Sequence, residues 1–332
     1  MGTVTVGVIG AGRIGRLHTD NLLRMADVRV KAVVDPLVDF TDWPRAGVVT
    51  GTEPELVLSD DEIDAVLICS PTPTHAPLTE AAAAAGKHVF CEKPIDLDPD
   101  RIRRTLEAVD RAGVELQVGF NRRFDPSFAR VRRAVTDGEV GEVQIVKITS
   151  RDPEAPPVSY VESSGGIFLD MTIHDFDMVR FLTGTEVAEV FAMGAVLIDP
   201  AIGAAGDVDT AITSMVMADG ALAVIENSRQ AVYGYDQRVE VFGSAGSAEA
   251  GNETPNRVTV SAVGGVRTDT PLYFFLERYQ ASFVAEMEAF FDSIRNDRQP
   301  PVGGRDGLMS VLIGRAAARS MAEHRPVAVE AP

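Results

Sequence analysis

The chain has 332 residues, and its 31 lysines and arginines against 49 aspartates and glutamates give a formal net charge of −18 at pH 7. This length indicates two domains or one large one, and the negative charge makes nucleic acid and membrane surfaces poor partners, because both are anionic. Apolar residues make up 45% of the chain and charged residues 24%, which is the composition of a folded globular protein rather than a disordered one.

The first third of the chain alternates short apolar runs with helical patterns. Nearly continuous Val, Ile and Leu predict strands buried on both faces at Val4–Ile9, Val28–Val34, Ala65–Cys69, His88–Cys91 and Val114–Val118. Between these strands, helices are predicted at Ile14–Arg24, Leu78–Ala85 and Asp100–Ala112. Alternation of strands and helices predicts a doubly wound parallel sheet, which is an α/β domain.

The pattern changes after about residue 125. Longer, alternating strands are predicted at Glu142–Thr149, Asp209–Met217, Ala221–Glu226, Arg238–Phe242 and Arg257–Ser261, with a hairpin turn at Asp219-Gly220. Helices are predicted at Pro126–Thr136, Gly166–Leu182, Tyr279–Asn296 and Gly307–Glu323. We therefore expect an α+β second domain with a large open antiparallel sheet and helices on one face.

The change of pattern gives a domain boundary near residues 120–125. We divide the chain into residues 1–122, a dinucleotide-binding domain, and residues 123–332, a substrate-binding and oligomerisation domain. The C-terminal helices are candidates to pack back on the first domain.

The cysteines and the N-terminal segment indicate the cellular compartment. Cys69 and Cys91 are too few for a disulfide framework or a thiolate zinc site. The N-terminal segment lacks the basic region of a signal peptide, and no run of about 20 uncharged apolar residues follows. We expect a cytoplasmic protein without a membrane segment.

A glycine-rich motif, Gly10-Ala11-Gly12-Arg13-Ile14-Gly15, follows the first predicted strand and opens the first predicted helix. In this setting the first glycine allows a tight turn, the second lets the backbone approach a pyrophosphate, and the third lets the helix pack on the strand. The helix N-terminus then faces the anion. Candidate cofactor contacts are Gly10, Gly12, Arg13, Ile14 and Gly15; the alternative is a glycine-rich turn without a ligand.

Asp35 follows the second predicted strand, 20 residues after Gly15. A carboxylate there can accept hydrogen bonds from both hydroxyls of an adenosine ribose and would repel a 2′-phosphate, which favours NAD over NADP. The alternative is that Asp35-Pro36 is only a turn at a strand end.

Two further loops follow buried strands, at the edge of the sheet where open α/β folds bind ligands. The first is Ser70-Pro71-Thr72-Pro73-Thr74-His75, with Ser70, Thr72 and His75 as candidate cofactor contacts, or merely a strand-to-helix loop capped by Thr74. The second is Glu92-Lys93-Pro94. Lys93 could hydrogen-bond a reacting oxygen beside a nicotinamide, or it could be a solvated loop lysine.

The segment Asp170-Met171-Thr172-Ile173-His174-Asp175-Phe176-Asp177 lies within a predicted helix. Asp170 and His174 are spaced i,i+4, and Asp177 lies three residues further, so one helix face would carry all three side chains. A carboxylate one turn before an imidazole can orient it and raise its basicity, which makes His174 a candidate general base. The alternatives are a solvated Asp–His pair and a metal site of Asp170, His174 and Asp177.

The glycine motif, Glu92-Lys93-Pro94 and the glycine-led Asp170-x-x-x-His174 segment, in this order, resemble the Gfo/Idh/MocA oxidoreductase family over nearly the whole chain. Within that family, the resemblance is greatest to members that oxidise inositol. It is carried by Gly119–Pro126, Ser150–Pro153, Ser164–Asp177, Tyr233–Asp236 and Tyr273–Tyr279.

The resemblance implies a Rossmann-type first domain, NAD as cofactor and no metal. It implies that Lys93, Asp170 and His174 are catalytic, that Glu92 and Lys93 border the cofactor, and that the Lys93–Pro94 peptide is often cis. It also implies a polyol pocket lined by Arg123, Asp152, Asp177 and Tyr235, and a homotetramer formed through the second-domain sheet.

The expected reaction is therefore NAD-dependent oxidation of a secondary hydroxyl of a cyclic polyol to a ketone, with conversion of myo-inositol to scyllo-inosose as first choice. Oxidation of scyllo-inositol or a related sugar is the alternative within the family. A non-catalytic dinucleotide-binding regulator is the remote alternative, since it would keep the glycines and Asp35 but would have no need of Lys93, Asp170 and His174 together.

Overall fold

A computed structural model describes residues 2–43 and 45–332. The described chain forms two compact units, with a change of unit between Asn121 and Arg122. The segment Phe283–Val311 belongs to the first unit, and the second comprises Arg122–Ser282 and Leu312–Ala331. A single division at residue 122 therefore does not separate the units, because the chain returns to the first one.

The first unit contains a six-stranded sheet in which every strand pairing is parallel. The strands are β1 (Val4–Ile9), β2 (Val28–Val34), β3 (Val49–Gly51), β4 (Ala65–Ile68), β5 (His88–Cys91) and β6 (Leu116–Val118), in the order β3-β2-β1-β4-β5-β6. The helices between them are α1 (Arg13–Leu22), α2 (Glu55–Leu58), α3 (His75–Ala84) and α4 (Pro99–Ala112). The strand order reverses direction between β1 and β4, which is where such sheets open a crevice for a ligand.

Burial on both faces of this sheet explains why its strands are nearly continuous in apolar residues. Val6, Val8, Leu67 and Phe90 are fully buried in one apolar cluster, because helices or other chain segments cover both faces of the sheet. The C-terminal part of the chain supplies Met287, Phe290 and Phe291 to the same cluster.

The second unit is built on a seven-stranded sheet. Its elements in chain order, with the two helices that span both units, are α5 (Pro126–Thr136), β7 (Val143–Arg151), α6 (Val158–Ser164), α7 (Gly166–Asp170), α8 (Ile173–Thr183), β8 (Val187–Ala195), α9 (Pro200–Ala204), β9 (Thr210–Met217), β10 (Leu222–Ser228), β11 (Asp236–Gly243), β12 (Ser247–Ala250), β13 (Thr259–Ala262), β14 (Gly265–Thr268), α10 (Phe275–Arg278), α11 (Gln280–Arg295), α12 (Gly304–Glu323) and β15 (Val327–Ala328). The sheet order is β12-β11-β7-β10-β9-β8-β15.

This sheet differs from the expected one in two respects. β7 and β10 pair in parallel, so the sheet is mixed rather than purely antiparallel. The strand predicted at Arg257–Ser261 is β13, which pairs only with β14 in a separate hairpin. Burial alternates along β9, and helices α5 and α8 pack against β11, β12 and β7. The α+β character of the unit and the hairpin turn at Gly220, which joins β9 and β10, are confirmed.

The predicted helix Gly166–Leu182 is also wrong, because it is two helices. The amide of Thr172 donates to the carbonyl of Ile167, five residues back, at 2.9 Å, so the turn after Asp170 is wider than an α-helical turn. Among the described residues, no helix has the length and apolar character needed to cross a membrane.

Candidate active site

The glycine motif forms a tight turn between β1 and α1. Gly10 has φ +98°, and a Cβ on Gly15 would lie 1.9 Å from the Gly10 carbonyl oxygen, so both positions require glycine. A Cβ on Gly12 would have no atom within 4 Å. Gly12 precedes α1 and no side chain caps the helix there, so this end of α1 offers backbone N–H groups to an anionic ligand.

Asp35 is linked to this turn by its carboxylate. Oδ2 accepts a hydrogen bond from the amide of Ala11 at 2.8 Å, while Oδ1 accepts from the amides of Leu37 and Val38 at 2.8 and 3.2 Å. The side chain therefore orders its own turn and the glycine loop together. Each carboxylate oxygen has further acceptor capacity, so the geometry is also compatible with the predicted ribose contact.

The loop after β4 is ordered by its own polar groups. The hydroxyl oxygens of Ser70 and Thr74 lie 2.6 Å apart, and Thr74 donates to the carbonyl of Pro71 at 2.7 Å. Thr72 begins a short 3₁₀ turn that leads into α3. Ser70 and Thr72 are partly exposed at this edge of the sheet, where their predicted cofactor contacts stay predictions.

His75 is buried between two loops, and its predicted cofactor contact stays a prediction. Its ring is 2% exposed, with Nδ1 2.7 Å from the carbonyl oxygen of Pro94 and Nε2 2.7 Å from that of Ser70. Burial lowers the pKa of His75, but the Cys91 side chain and the two carbonyl groups raise it to about 9. Because carbonyl oxygens only accept, these two contacts favour the protonated ring, through which His75 joins two loops.

The Glu92-Lys93-Pro94 turn follows β5, and the Lys93–Pro94 peptide is cis, as the resemblance implied. Lys93 is partly exposed. Oε1 of Glu92 lies 2.9 Å from Nε2 of the fully buried His18. Burial and the Glu92 carboxylate raise the pKa of Glu286 well above its usual range. The protonated form of Glu286 is therefore favoured, and the contact between Glu92 and His18 lies directly behind the Lys93 turn.

In the second unit, Asp170 ends α7 and His174 lies in the first turn of α8. The break between them is held by Thr172, whose hydroxyl lies 2.8 Å from Oδ1 of Asn227 and 3.2 Å from the carbonyl oxygen of Ile167. Asp170 and His174 therefore lie on either side of a widened turn rather than within one regular helix.

Asp170 accepts hydrogen bonds from two residues that the sequence did not single out. The hydroxyl of Tyr160 donates to Oδ1 at 2.8 Å, and Nη1 of Arg229 donates to Oδ2 at 3.2 Å. Tyr160 lies in α6 and Arg229 just after β10, so the contacts join segments distant in sequence. No local pattern could reveal them.

Asp152 follows β7 and lies within electrostatic range of Asp170. Burial and the Asp170 carboxylate raise the pKa of Asp152 to about 6, although Arg122 and Arg229 oppose this. Among the residues predicted to line the polyol pocket, Asp152 is thus the one whose charge changes near neutral pH.

Arg123 and Asp177, two other predicted pocket residues, bind each other. Nε of Arg123 donates to Oδ2 of Asp177 at 2.7 Å and Nη2 donates to Oδ1 at 2.5 Å, with Asp177 1% exposed. The substrate contacts predicted for Arg123 and Asp177 stay predictions. Their ion pair removes Asp177 from the alternative metal site, and within residues 2–43 and 45–332 no group of three or more His, Cys, Asp and Glu side chains could hold a metal ion.

Tyr235 belongs to a buried network around Arg122, which the sequence analysis did not select. Nη1 of Arg122 donates to Oδ1 of Asp175 at 2.6 Å, and Nη2 donates to the hydroxyl of Tyr235 at 3.3 Å. Burial raises the pKa of Asp175, although the Arg122 cation and Asn227 oppose this. Arg122 and Arg123 are adjacent and both pair with buried aspartates, so nothing in the sequence separates the arginine of this network from its neighbour.

Comparison with known proteins identifies the family. An oxidoreductase family with an NAD-binding Rossmann fold matches residues 4–120, and the GFO/IDH/MocA C-terminal domain matches residues 128–249. The chain belongs to the GFO/IDH/MocA oxidoreductase family. This confirms the predicted resemblance, the Rossmann-type first domain and NAD as the cofactor class.

Several family members are similar over their full length. The chain is 48% identical to the myo-inositol 2-dehydrogenase of Thermotoga maritima over 328 residues, covering 98% of both proteins. It is 48% identical to the inositol 2-dehydrogenase of Rhizobium meliloti over 330 residues, covering 98% of this chain and 99% of that protein. The crystal structure of scyllo-inositol dehydrogenase from Lactobacillus casei, with bound NAD(H) and scyllo-inositol, matches with a TM-score of 0.92 at 32% identity, covering 98% of this chain and 99% of that one.

Proposed function

We propose that this chain oxidises a secondary ring hydroxyl of a cyclic polyol to a ketone with NAD, and that its preferred reaction converts myo-inositol to scyllo-inosose. The observation that carries the proposal is the 48% identity, over nearly the whole of both chains, to proteins named for oxidation of inositol. Lys93, Asp170 and His174 are the proposed catalytic residues, as the family resemblance implies.

The first unit supplies the groups that would hold the cofactor. Gly10, Gly12 and Gly15 leave room for a pyrophosphate beside the N-terminus of α1, where Arg13 and Ile14 begin the helix, and Asp35 would bind the adenosine ribose. When bound, NAD supplies the acceptor for the hydrogen of the carbinol carbon. The contact between His18 and Glu92 would hold the turn that carries Lys93.

The second unit supplies the proposed acid and base groups. His174 removes the proton of the substrate hydroxyl, and Asp170 orients the imidazole and stabilises its charged form. Lys93 stabilises the developing alkoxide by hydrogen bonding. Arg123, Asp152 and Tyr235 are proposed to bind the other hydroxyls of the ring. A positioned base contributes about 10²–10⁴-fold to such a reaction.

The experiment is a panel of polyols offered to the purified protein with NAD and, separately, with NADP, followed by the absorbance of the reduced cofactor. We expect the highest kcat/KM with myo-inositol and NAD. A preference for scyllo-inositol would support the second candidate, which the bound ligand of the Lactobacillus casei neighbour favours. Binding of NAD without turnover of any polyol would contradict both.

We also propose that a second copy of the chain covers the exposed face of the seven-stranded sheet. Phe242, Ile145, Leu222 and Val216 are direct neighbours across β11, β7, β10 and β9, and each is 39–51% exposed. A continuous apolar row on an open sheet is typical of an interface. A homotetramer, as implied by the family resemblance, would cover this row.

The cellular setting is a further part of the proposal. The two cysteines are not paired with each other, and Cys91 is buried, which is compatible with a reducing compartment. We propose a cytoplasmic enzyme of myo-inositol catabolism. Fractionation of cells grown on myo-inositol tests the location.

A further inference from the structure

Arg229 is a buried guanidinium between two carboxylates of the second unit. It is 1% exposed, its Nη1 donates to Oδ2 of Asp170 at 3.2 Å, and its Nη2 donates to Oδ2 of Asp207 at 3.4 Å. Its backbone amide donates to the carbonyl of Asp209 at 2.9 Å, so the residue is fixed at both ends. The arginine therefore carries one positive charge shared by two acidic groups.

Asp207 is attached to the other end of the helix that Asp170 terminates. Its Oδ1 accepts a hydrogen bond from the amide of Ile167 at 3.1 Å. A Cβ on Gly166, which has φ +78°, would lie 2.8 Å from the same oxygen, so glycine is required for this approach. Asp207 and Arg229 together therefore hold both ends of α7.

We propose that Arg229 and Asp207 are positioning residues that set the orientation and the effective charge of Asp170, and through Asp170 the proton affinity of His174. This inference rests on the proposed function, in which His174 is the base. The Arg229 cation reduces the stabilisation that the Asp170 carboxylate gives to a protonated His174. Asp207 makes this reduction smaller, because its carboxylate neutralises part of the same positive charge.

The other groups around Asp170 do not provide this adjustment. Tyr160, from α6, donates a hydrogen bond, and burial raises the pKa of its hydroxyl, so it stays neutral. Asp152, from the end of β7, adds negative charge as it ionises, and it is itself influenced by Arg122 and Asp175. Of these groups, Arg229 is the cation in direct contact with Asp170.

The two positioning residues have opposite expected effects on the pH profile. Removing the cation in Arg229→Met lets Asp170 stabilise the imidazolium more strongly, so the acidic limb of kcat/KM moves to higher pH. Removing the competing anion in Asp207→Asn leaves the full cation on Asp170, so the limb moves to lower pH. We expect shifts of at least about half a pH unit in each direction.

Two further variants separate charge from packing. Arg229→Lys keeps the cation, so its acidic limb should lie nearer to wild type than that of Arg229→Met, although kcat falls because the planar fork is lost. Arg278→Lys is the matched control: Arg278 is 4% exposed and pairs with Asp125, outside the Asp170 network. It should reduce stability and leave the limb unchanged.

An NMR titration gives a readout that does not depend on turnover. The chain has five histidines, and comparison of ring-labelled wild type with His174→Gln identifies the His174 signal. We expect its pKa to rise in Arg229→Met and to fall in Asp207→Asn. Shifts in the same direction, or no shift in folded variants, would overturn the inference. Absence of polyol oxidation by wild type would instead overturn the proposed function, and the titration would still decide the role of Arg229.

Discussion

Asp152 is a residue for which folding and binding have opposite requirements. Burial and the Asp170 carboxylate raise its pKa to about 6, so in the folded protein the ionised form is disfavoured. A carboxylate whose pKa is raised by folding contributes stability below its unfolded pKa and loses that stability as the pH rises through the folded value. At neutral pH the protein therefore retains an ionised Asp152 at a cost in stability, which is typical of a binding residue.

Asp152→Asn should consequently stabilise the protein at pH 8, by roughly 1–3 kcal/mol in the free energy of unfolding, with a difference that disappears near pH 4. Its kcat/KM for the polyol should fall, because the acceptor for substrate hydroxyls is lost. Urea denaturation at both pH values measures the first effect. Asp110→Asn, at an exposed carboxylate on α4, is the control. An equal effect of Asp152→Asn at pH 8 and pH 4 would contradict the account.

At the scale of elements, the turn between β1 and α1 contains one glycine that the fold does not require, Gly12, and one that it does, Gly15. Gly12→Ala should leave the melting temperature unchanged, because no atom lies within 4 Å of the added Cβ. It should weaken NADH binding by about tenfold or more, because the backbone there must approach the pyrophosphate. Fluorescence titration with NADH measures the affinity.

Gly15→Ala is the contrasting variant, because its Cβ would lie 1.9 Å from the Gly10 carbonyl oxygen. It should lower both the melting temperature and the affinity for NADH. If Gly12→Ala bound NADH as well as wild type does, the proposed contact would be wrong.

The break between α7 and α8 is the second element with a testable role. Thr172→Val keeps the shape of the side chain but leaves Oδ1 of the buried Asn227 without its hydroxyl partner. We expect a loss of about 1–3 kcal/mol in the free energy of unfolding and a decrease in kcat, because His174 follows the break directly. Thr172→Ser retains the hydroxyl, so it should retain most of the stability and most of the kcat. Equal losses in the two variants would show that the hydroxyl is not responsible.

The elements also show what the sequence could and could not predict. β1, β2 and β5 were predicted to the residue, since continuous apolar runs bounded by turns leave little ambiguity. The break at Thr172 was not predictable, because its hydroxyl partner Asn227 is 55 residues away. β13 was predicted as a strand, but its alternating pattern does not specify which strand it pairs with.

The same limit applies to the site. Gly10, Gly12, Gly15, Lys93 and His174 lie in local motifs, so the sequence alone could propose them. Arg229 has no motif of its own, and its importance appears only when β10 places it between Asp170 and Asp207. Regular helix spacing predicted one continuous helix through Asp170 and His174, whereas the chain forms two helices with a wider turn between them.

At the scale of the whole molecule, the arrangement of the chain in two units is discontinuous, because Phe283–Val311 belongs to the first. A helical pattern indicates an amphipathic helix but does not identify the surface it covers. The net charge of −18 disfavours binding to anionic macromolecules. It does not prevent binding of a pyrophosphate, since backbone N–H groups at the start of α1 need no positive side chain.

The proposed oligomer is tested at this scale. Leu222→Glu places a charge in the middle of the exposed apolar row and should dissociate the assembly into smaller species, as measured by light scattering after gel filtration. Val263→Glu, at a residue of the separate hairpin that is fully exposed, is the control and should leave the assembly unchanged. A wild-type protein that is monomeric at micromolar concentration would contradict the proposal.

The measurement that tests the central claim most directly follows one hydrogen atom. Myo-inositol carrying deuterium at C2 is incubated with the protein and NAD, and the mass of the reduced cofactor is determined. The account predicts reduced cofactor that carries the deuterium, formed together with the ketone, and slower turnover than with unlabelled substrate if this transfer limits the rate. Reduced cofactor without deuterium, or none at all, would contradict it.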